Sequence, residues 1–337
     1  MIIIQERTYD RNNLIDVLRL ICAYMVVAIH THPLQECSKL GTYILASVIP
    51  QIAVPFFFVV SGFFFYNKVI GNSDSVERCV VKQIKNVLKE YCLWSVLYIV
   101  VNFMNMIIGE NFTLKGFIAD TIIRFFFAGT FYHLWYMVAL IVSMCIVGIF
   151  LKIDKAKLAY MISMPLYTIG VLGGAYASLA NNIPIVKQII QTEHFTWIRR
   201  MFLMGLPLFL LGVIINNVVE KLKISGLDVI VLAVINSIEI IMVNVLNIND
   251  NIILTFTLYP LVMCIVIYCI QHPLNTWGII GKVCREISNI VYFIHPLMVI
   301  VVLKLKFSSL ITFVMSCVFS SLFGILIFKI KQCHVKS

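Results

Sequence analysis

Long apolar runs separated by short polar stretches set the pattern of this chain. Ten of them approach the roughly 20 residues that a bilayer crossing requires, at about 14–33, 43–66, 84–108, 133–151, 158–176, 201–217, 228–247, 252–270, 288–305 and 308–330. The runs lack period-two alternation, and an open sheet in lipid would leave its backbone groups unpaired, so the pattern predicts helices throughout. A further apolar run, Phe117 to Gly129, is too short to span and predicts an interfacial or re-entrant helix. The expected fold is all-α: a polytopic integral membrane protein of about ten transmembrane helices, with residues 1–337 forming one membrane domain.

Charge orients this array. Placing the N-terminus inside puts 17 Lys and Arg on inner segments and eight on outer ones, with Arg19 within a span, which accounts for all 26. Inner excess of Lys and Arg predicts both termini in the cytoplasm, N-in and C-in. The same distribution argues against a nucleic-acid partner, although the net charge is +10. A chain that is 61% hydrophobic and 12% charged, with mean hydropathy +0.97, excludes an ordinary soluble domain. The first run is too long for a signal-peptide core and lacks a small-residue cleavage site, so it is expected to be retained. Ten cysteines are scattered, mostly within spans and without C-x-x-C spacing, and are expected to be packing residues; no metal site is expected.

The first span, DVLRLICAYMVVAIHTHP, is unusual in carrying ionisable groups. On a helix Asp16, Arg19 and His30 fall within about 60° of one another, whereas His32 points away. Arg19 and His30 stand about 16 Å apart along the axis, so the stripe marks two depths of one polar path. Ionisable residues inside a span usually line a protein interior or aqueous cavity. Simpler roles exist: Asp16 and Arg19 one turn apart can pair with each other, and His30 can be a satisfied helix-end histidine.

Further along, the second span ends in SGFFF (Ser61 to Phe65). The third opens with KQIKNVLK (Lys82 to Lys89), HLWYM begins at His133, and SNIVYFIHP runs from Ser288 to Pro296. An arginine and a histidine eleven positions apart in the first span, followed by these four stretches in this order, resemble the membrane acyltransferase-3 family over nearly the whole chain. The chain is also similar to the membrane domains fused to bacterial serine racemases, which belong to that family and are thought to handle serine.

The resemblance implies transfer of an acyl group, usually acetyl, from a cytoplasmic donor such as acetyl-CoA to a sugar, glycolipid or small acceptor of the cell envelope, as in O-acetylation. It implies a bacterial cytoplasmic membrane location and no tightly bound cofactor, acetyl-CoA being a co-substrate. It assigns His30 as the catalytic histidine and Arg19 as its essential partner. A histidine can deprotonate an acceptor or carry the acyl group near neutral pH, and an arginine fork suits a CoA phosphate or a pantetheine carbonyl. The partners implied are the lipid bilayer, an acyl-CoA and a carbohydrate or other acceptor. Because some relatives carry an extracytoplasmic finishing domain, a separate transferase is a further expected partner.

Other residues carry weaker expectations. Asp16, Lys82 and Lys85 are candidates for donor binding, although lysines there also serve as positive-inside anchors and lack the bidentate geometry of arginines. His133 is a candidate for an acceptor hydroxyl at the outer mouth. His295, expected two turns inside the ninth span from the cytoplasmic face, and Tyr292 one turn earlier are candidates for donor binding or helix packing. The SGFFF phenylalanines are expected in lipid or core, and Gly62 to allow close helix packing. Glu239, mid-span in the seventh run, is open between a proton relay and a carboxyl bonded to Asn236 or Asn244. A transporter of a small molecule such as serine is the competing function, because ionisable groups at two depths equally suit a substrate path.

Overall fold

The computed structural model describes residues 12–71, 74–107, 113–180, 188, 192–246 and 254–336. The ends of the expected spans at 108, 247 and 252–253 lie outside them. Among the described residues the protein is helical, without strands. Eight helical stretches are long and apolar enough to cross a membrane, and two shorter apolar helices, Lys157–Leu172 and Leu258–Gln271, stand at the fifth and eighth expected spans.

In chain order the main helices are α1 (Asn13–Thr31), α2 (Lys39–Tyr43), α3 (Ala53–Ile70), α4 (Val76–Ile107), α5 (Leu114–Phe127), α6 (Trp135–Lys152), α7 (Ala156–Leu172), α8 (Glu193–Ile198) and α9 (Leu206–Val218). They are followed by α10 (Gly226–Val245), α11 (Leu258–Gln271), α12 (Gly278–Leu303) and α13 (Ser309–Lys336). Two crossings contain widened π turns, Ile44–Val48 between α2 and α3 and Arg199–Gly205 between α8 and α9. Each lies just before a proline, Pro50 or Pro207, which has no N–H for the carbonyl four residues back. The altered turn accommodates that break without ending the helix.

At the third and ninth expected spans, α4 and α12 start earlier than hydropathy indicates, at Val76 instead of 84 and at Gly278 instead of 288. The polar turns preceding those apolar runs continue the same helices. α5 confirms the short helix expected near 117–129 and is followed by Gly129 in the left-handed region, φ +80°. A Cβ there would meet the backbone of Leu134 and Trp135 at 2.5 and 2.4 Å, so glycine is needed at that corner.

The chain divides into two compact units, one built on Ser61–Asn216 and the other on Tyr9–Val60 together with Asn217–Ser337. In the first, Gly62 makes close helix packing possible: a Cβ at that position would lie 2.0 Å from the Phe209 carbonyl oxygen. Phe63 and Phe65 are buried to 1% and 2%, and Phe65 packs on Phe209 at 5.3 Å, so these SGFFF rings are core. Ser163 donates to the Pro207 carbonyl at 2.9 Å, fastening α7 to α9.

In the second unit α1 and α12 run in the same direction and α13 runs back. Asn13 meets Gly281 near their starts and His30 meets His295 further along, whereas Tyr24 pairs with Ser321 and Ile287 with Gly324. Ala23, Val27, Ile287, Val291 and Val299 form the apolar seam. The start of α1 is tied down by Asn12, which accepts from Ile15 N–H and donates to the Cys269 carbonyl, and by Asn13, which donates to the Leu274 carbonyl.

Glu239 acquires a role here. Its carboxylate accepts from the backbone N–H groups of Phe256 (2.8 Å) and Thr257 (2.9 Å) and from the Thr257 hydroxyl. Beside it Asn236, 2% exposed, accepts from Thr255 and donates to Gln51. A carboxylate on these amides satisfies donors at the start of α11 and matches the positive end of its dipole. This geometry gives Glu239 the work of a helix cap supplied from a neighbouring helix.

Candidate functional site

The stripe of α1 is present. Asp16 is 4% exposed, and its Oδ1 lies 4.0 Å from an Nη of Arg19, an i,i+3 pair within the helix. Eleven residues later His30 occupies the penultimate position of α1. His32 lies just past the helix, caps it in the left-handed conformation (φ 46°) and donates its N–H to the Ala28 carbonyl. His32 therefore stands outside α1, and the phase of that helix does not set its side chain.

The partner of His30 comes from α12. The rings of His30 and His295 lie nearly parallel, with centroids 5.6 Å apart and planes 17° from each other. His295 has no exposed surface. Its depth differs from the sequence expectation: because α12 starts at Gly278, His295 is the eighteenth residue of that helix, level with His30 and not with Arg19. Tyr292 is half-buried on the preceding turn, edge-on to Phe57 at 6.4 Å and 6.4 Å from the His295 ring.

Pro296 explains how the imidazole is held. It lies inside α12 and has no N–H to give the Tyr292 carbonyl. His295 Nδ1 lies 2.8 Å from that carbonyl oxygen and 3.0 Å from that of Val291. Carbonyl oxygens only accept, so Nδ1 carries the proton, and in the neutral ring Nε2 is the basic nitrogen. A buried imidazole with a fixed tautomer, stacked on a second imidazole, is an arrangement able to take up and return a proton.

The remaining sequence-selected residues belong to the other unit. Lys82 and Lys85 are exposed on α4, within the turns that precede its apolar part. His133 is 3% exposed and meets the rings of Tyr98, Phe131 and Tyr132 at 4.9, 5.9 and 5.7 Å. These contacts make it part of an aromatic wall. Ser61 of the SGFFF stretch shares a 3.2 Å hydrogen bond with the Tyr136 hydroxyl of HLWYM, so two of the sequence stretches meet directly.

Sequence reasoning missed two features. The Pro296–His295 relation is visible as the dipeptide HP, but its meaning depends on the carbonyl four residues earlier. Arg199 and Arg200 were counted only as outer charges. Arg200 lies over the ring of Trp135 at 5.1 Å, and Arg199 reaches the Gly173 carbonyl at 3.5 Å. A pair of consecutive arginines opening a span was the available signal.

A family model described as an acyltransferase domain matches residues 12–330, running through both units. The chain is 28% identical to an amino-acid racemase of Enterococcus faecalis over 336 residues, 96% of this chain and 47% of that protein. It is 34% identical to another amino-acid racemase of the same organism over 169 residues, 50% of this chain and 23% of that protein. With a serine/alanine racemase of Enterococcus gallinarum it shares 28% identity over 297 residues, 85% of this chain and 40% of that protein. The chain thus spans about half the length of the curated relatives it matches. No solved structure matches it. Apolar helices of crossing length and a family match over residues 12–330 lead to one conclusion: the chain belongs to the acyltransferase family and is a multi-pass membrane protein.

Proposed function

We propose that this protein transfers an acetyl group from acetyl-CoA to a hydroxyl or amine of a cell-envelope sugar, glycolipid or small acceptor, working in a bacterial cytoplasmic membrane with both termini inside. The observation that carries this reading is the stacking of His30 on His295. His30 accepts the acceptor proton as its oxygen or nitrogen attacks the thioester carbonyl. The tetrahedral intermediate collapses with cleavage of the C–S bond, and the proton leaves on the CoA sulfur. His295, its Nδ1 proton committed to backbone carbonyls, positions His30 and steadies the charge it gains. About 16 Å along α1, Arg19, oriented by Asp16, binds a phosphate or amide carbonyl of the donor, the long flexible arm of CoA bridging the two depths. Lys82 and Lys85 are exposed point charges suited to an anionic donor. His133 shapes the aromatic wall.

The test is acceptor-dependent release of CoA thiol by the purified protein, with acceptors found by comparing acetyl groups on envelope polymers and lipids from cells with and without it. Thiol release that needs no acceptor and leaves no acetylated product would reject the proposal. The names of the relatives, amino-acid racemase and serine/alanine racemase, favour a second reading in which the membrane part handles an amino acid such as serine. Uptake of labelled serine by proteoliposomes lacking acetyl-CoA supports transport; acetylserine formed only with acetyl-CoA supports transfer.

A further inference from the structure

Outside the His30 region, one cluster of charged side chains is left without a function. Arg199 and Arg200 are consecutive, half-buried, and begin the π turn between α8 and α9. Both side chains are held in place. The Arg200 guanidinium lies over the Trp135 ring at 5.1 Å, and Arg199 Nη1 approaches the Gly173 carbonyl at 3.5 Å. The next residue, Gly174, makes room for that group, since a Cβ there would lie 2.8 Å from Arg199 Nη1.

What the cluster lacks is negative charge. Among the described residues neither arginine has a carboxylate within ion-pair distance, and the Nε of Arg200 is buried without a hydrogen-bond partner. Surface arginines relieve such a situation by extending their heads into water. Arg200 instead lies against an indole, with part of its donor fork turned inward. Two adjacent cations in an apolar helix repel each other and lose hydration, and both costs are offset when an anion with several acceptor oxygens sits between the forks. π turns recur at functional sites because the local widening re-aims neighbouring side chains.

We propose that Arg199 and Arg200, with Trp135 as their platform, form an oxyanion-binding subsite that takes a carboxylate or a phosphate. The anion is carried either by a small soluble molecule or by the headgroup of an anionic lipid, and neither case calls on the histidine chemistry.

The full chain in phosphatidylcholine nanodiscs, titrated with succinate and separately with inorganic phosphate, tests this through intrinsic tryptophan fluorescence. The expected result is a saturable change that weakens with added salt, about tenfold weaker binding in Arg200→Gln, and none in the Arg199→Gln/Arg200→Gln double variant. In phosphatidylglycerol nanodiscs a headgroup ligand abolishes the titration, and native mass spectrometry retains bound phosphatidylglycerol in the wild type but not in the double variant. A soluble ligand leaves the titration intact. Should the glutamine variants not fold, Trp135→Leu serves in their place, with binding read by calorimetry because the variant lacks the reporting indole, and is expected to weaken binding several-fold. Absence of saturable binding in the wild type with both probes and lipids, or identical binding and lipid retention in wild type and variants, overturns the proposal.

Discussion

At its Asn13 end α1 carries a carboxylate, 4% exposed, within 4.0 Å of an arginine one turn away; at its Thr31 end it carries an imidazole lying flat on a second imidazole from α12. The first pair is made by one helix alone and follows from helical phase. The second requires another helix to run parallel and to bring a histidine to the same height. On the proposed function the first pair grips the donor and the second moves a proton, so that one helix presents a holding end and a reacting end.

Removing the reacting group sharpens this division most. His30→Ala is expected to reduce acyl transfer by about 10²–10⁴-fold, the usual contribution of a positioned acid–base group, without loss of expression or membrane insertion. Release of CoA thiol by the purified variant is the measurement, and undiminished turnover would remove the reacting end altogether. His295→Ala is expected to cost about 10–100-fold in kcat with KM for acetyl-CoA unchanged, and to alter the pH profile of kcat. An effect on KM alone would instead make His295 a binding residue. At the holding end Arg19→Ala should raise KM for acetyl-CoA about tenfold, with Arg19→Lys recovering part of the loss, because a lysine supplies charge without the fork. If kcat falls instead, the two ends do not divide the labour as argued.

Two smaller effects lie outside the stripe and serve as controls. Glu239→Ala removes the cap of α11 and is expected to cost about 0.5–2 kcal/mol in stability, read as a lower Tm in detergent, with turnover per folded molecule unchanged. Glu36, in the turn after α1, accepts from the Ser309 hydroxyl and backbone N–H at the start of α13. These bonds hold its carboxyl below the ordinary value of 4.5, the Ser309 hydroxyl contributing most. Because the folded form binds the proton less readily, this stabilisation is complete above the unfolded value and is lost as pH falls through the folded one. Ser309→Ala should therefore lower Tm slightly near neutrality, leave it little changed at low pH, and so reduce the acid-side fall in Tm.

Much of the architecture could be read from the apolar runs, because lipid imposes long uniform helices whose composition records them. The starts of α4 and α12 could not. Hydropathy detects the part of a helix that lies in hydrocarbon, and polar turns such as those around Lys82 and Lys282 extend it unseen. That ten-residue error at α12 is what misplaced His295 at the depth of Arg19. The phase of Asp16, Arg19 and His30 was legible because it needs only one helix. Glu239 was not, since its partners Phe256 and Thr257 lie 17 and 18 positions away, and only the folded chain brings their amides to the carboxylate. The arginine pair was legible as charge, but its contact with Trp135 joins residues 65 positions apart.

Pro296 gives the imidazole before it a direction. By withholding one amide hydrogen from the Tyr292 carbonyl it leaves an acceptor that His295 Nδ1 fills, and so decides which nitrogen of the ring keeps a lone pair. Nitrogen-15 spectra should record this as a pyrrole-like Nδ1 and a pyridine-like Nε2, and Pro296→Ala should blur the distinction by returning the missing donor to the backbone. The defect in the helix would then act as an instruction about proton traffic, written in a residue that touches no substrate.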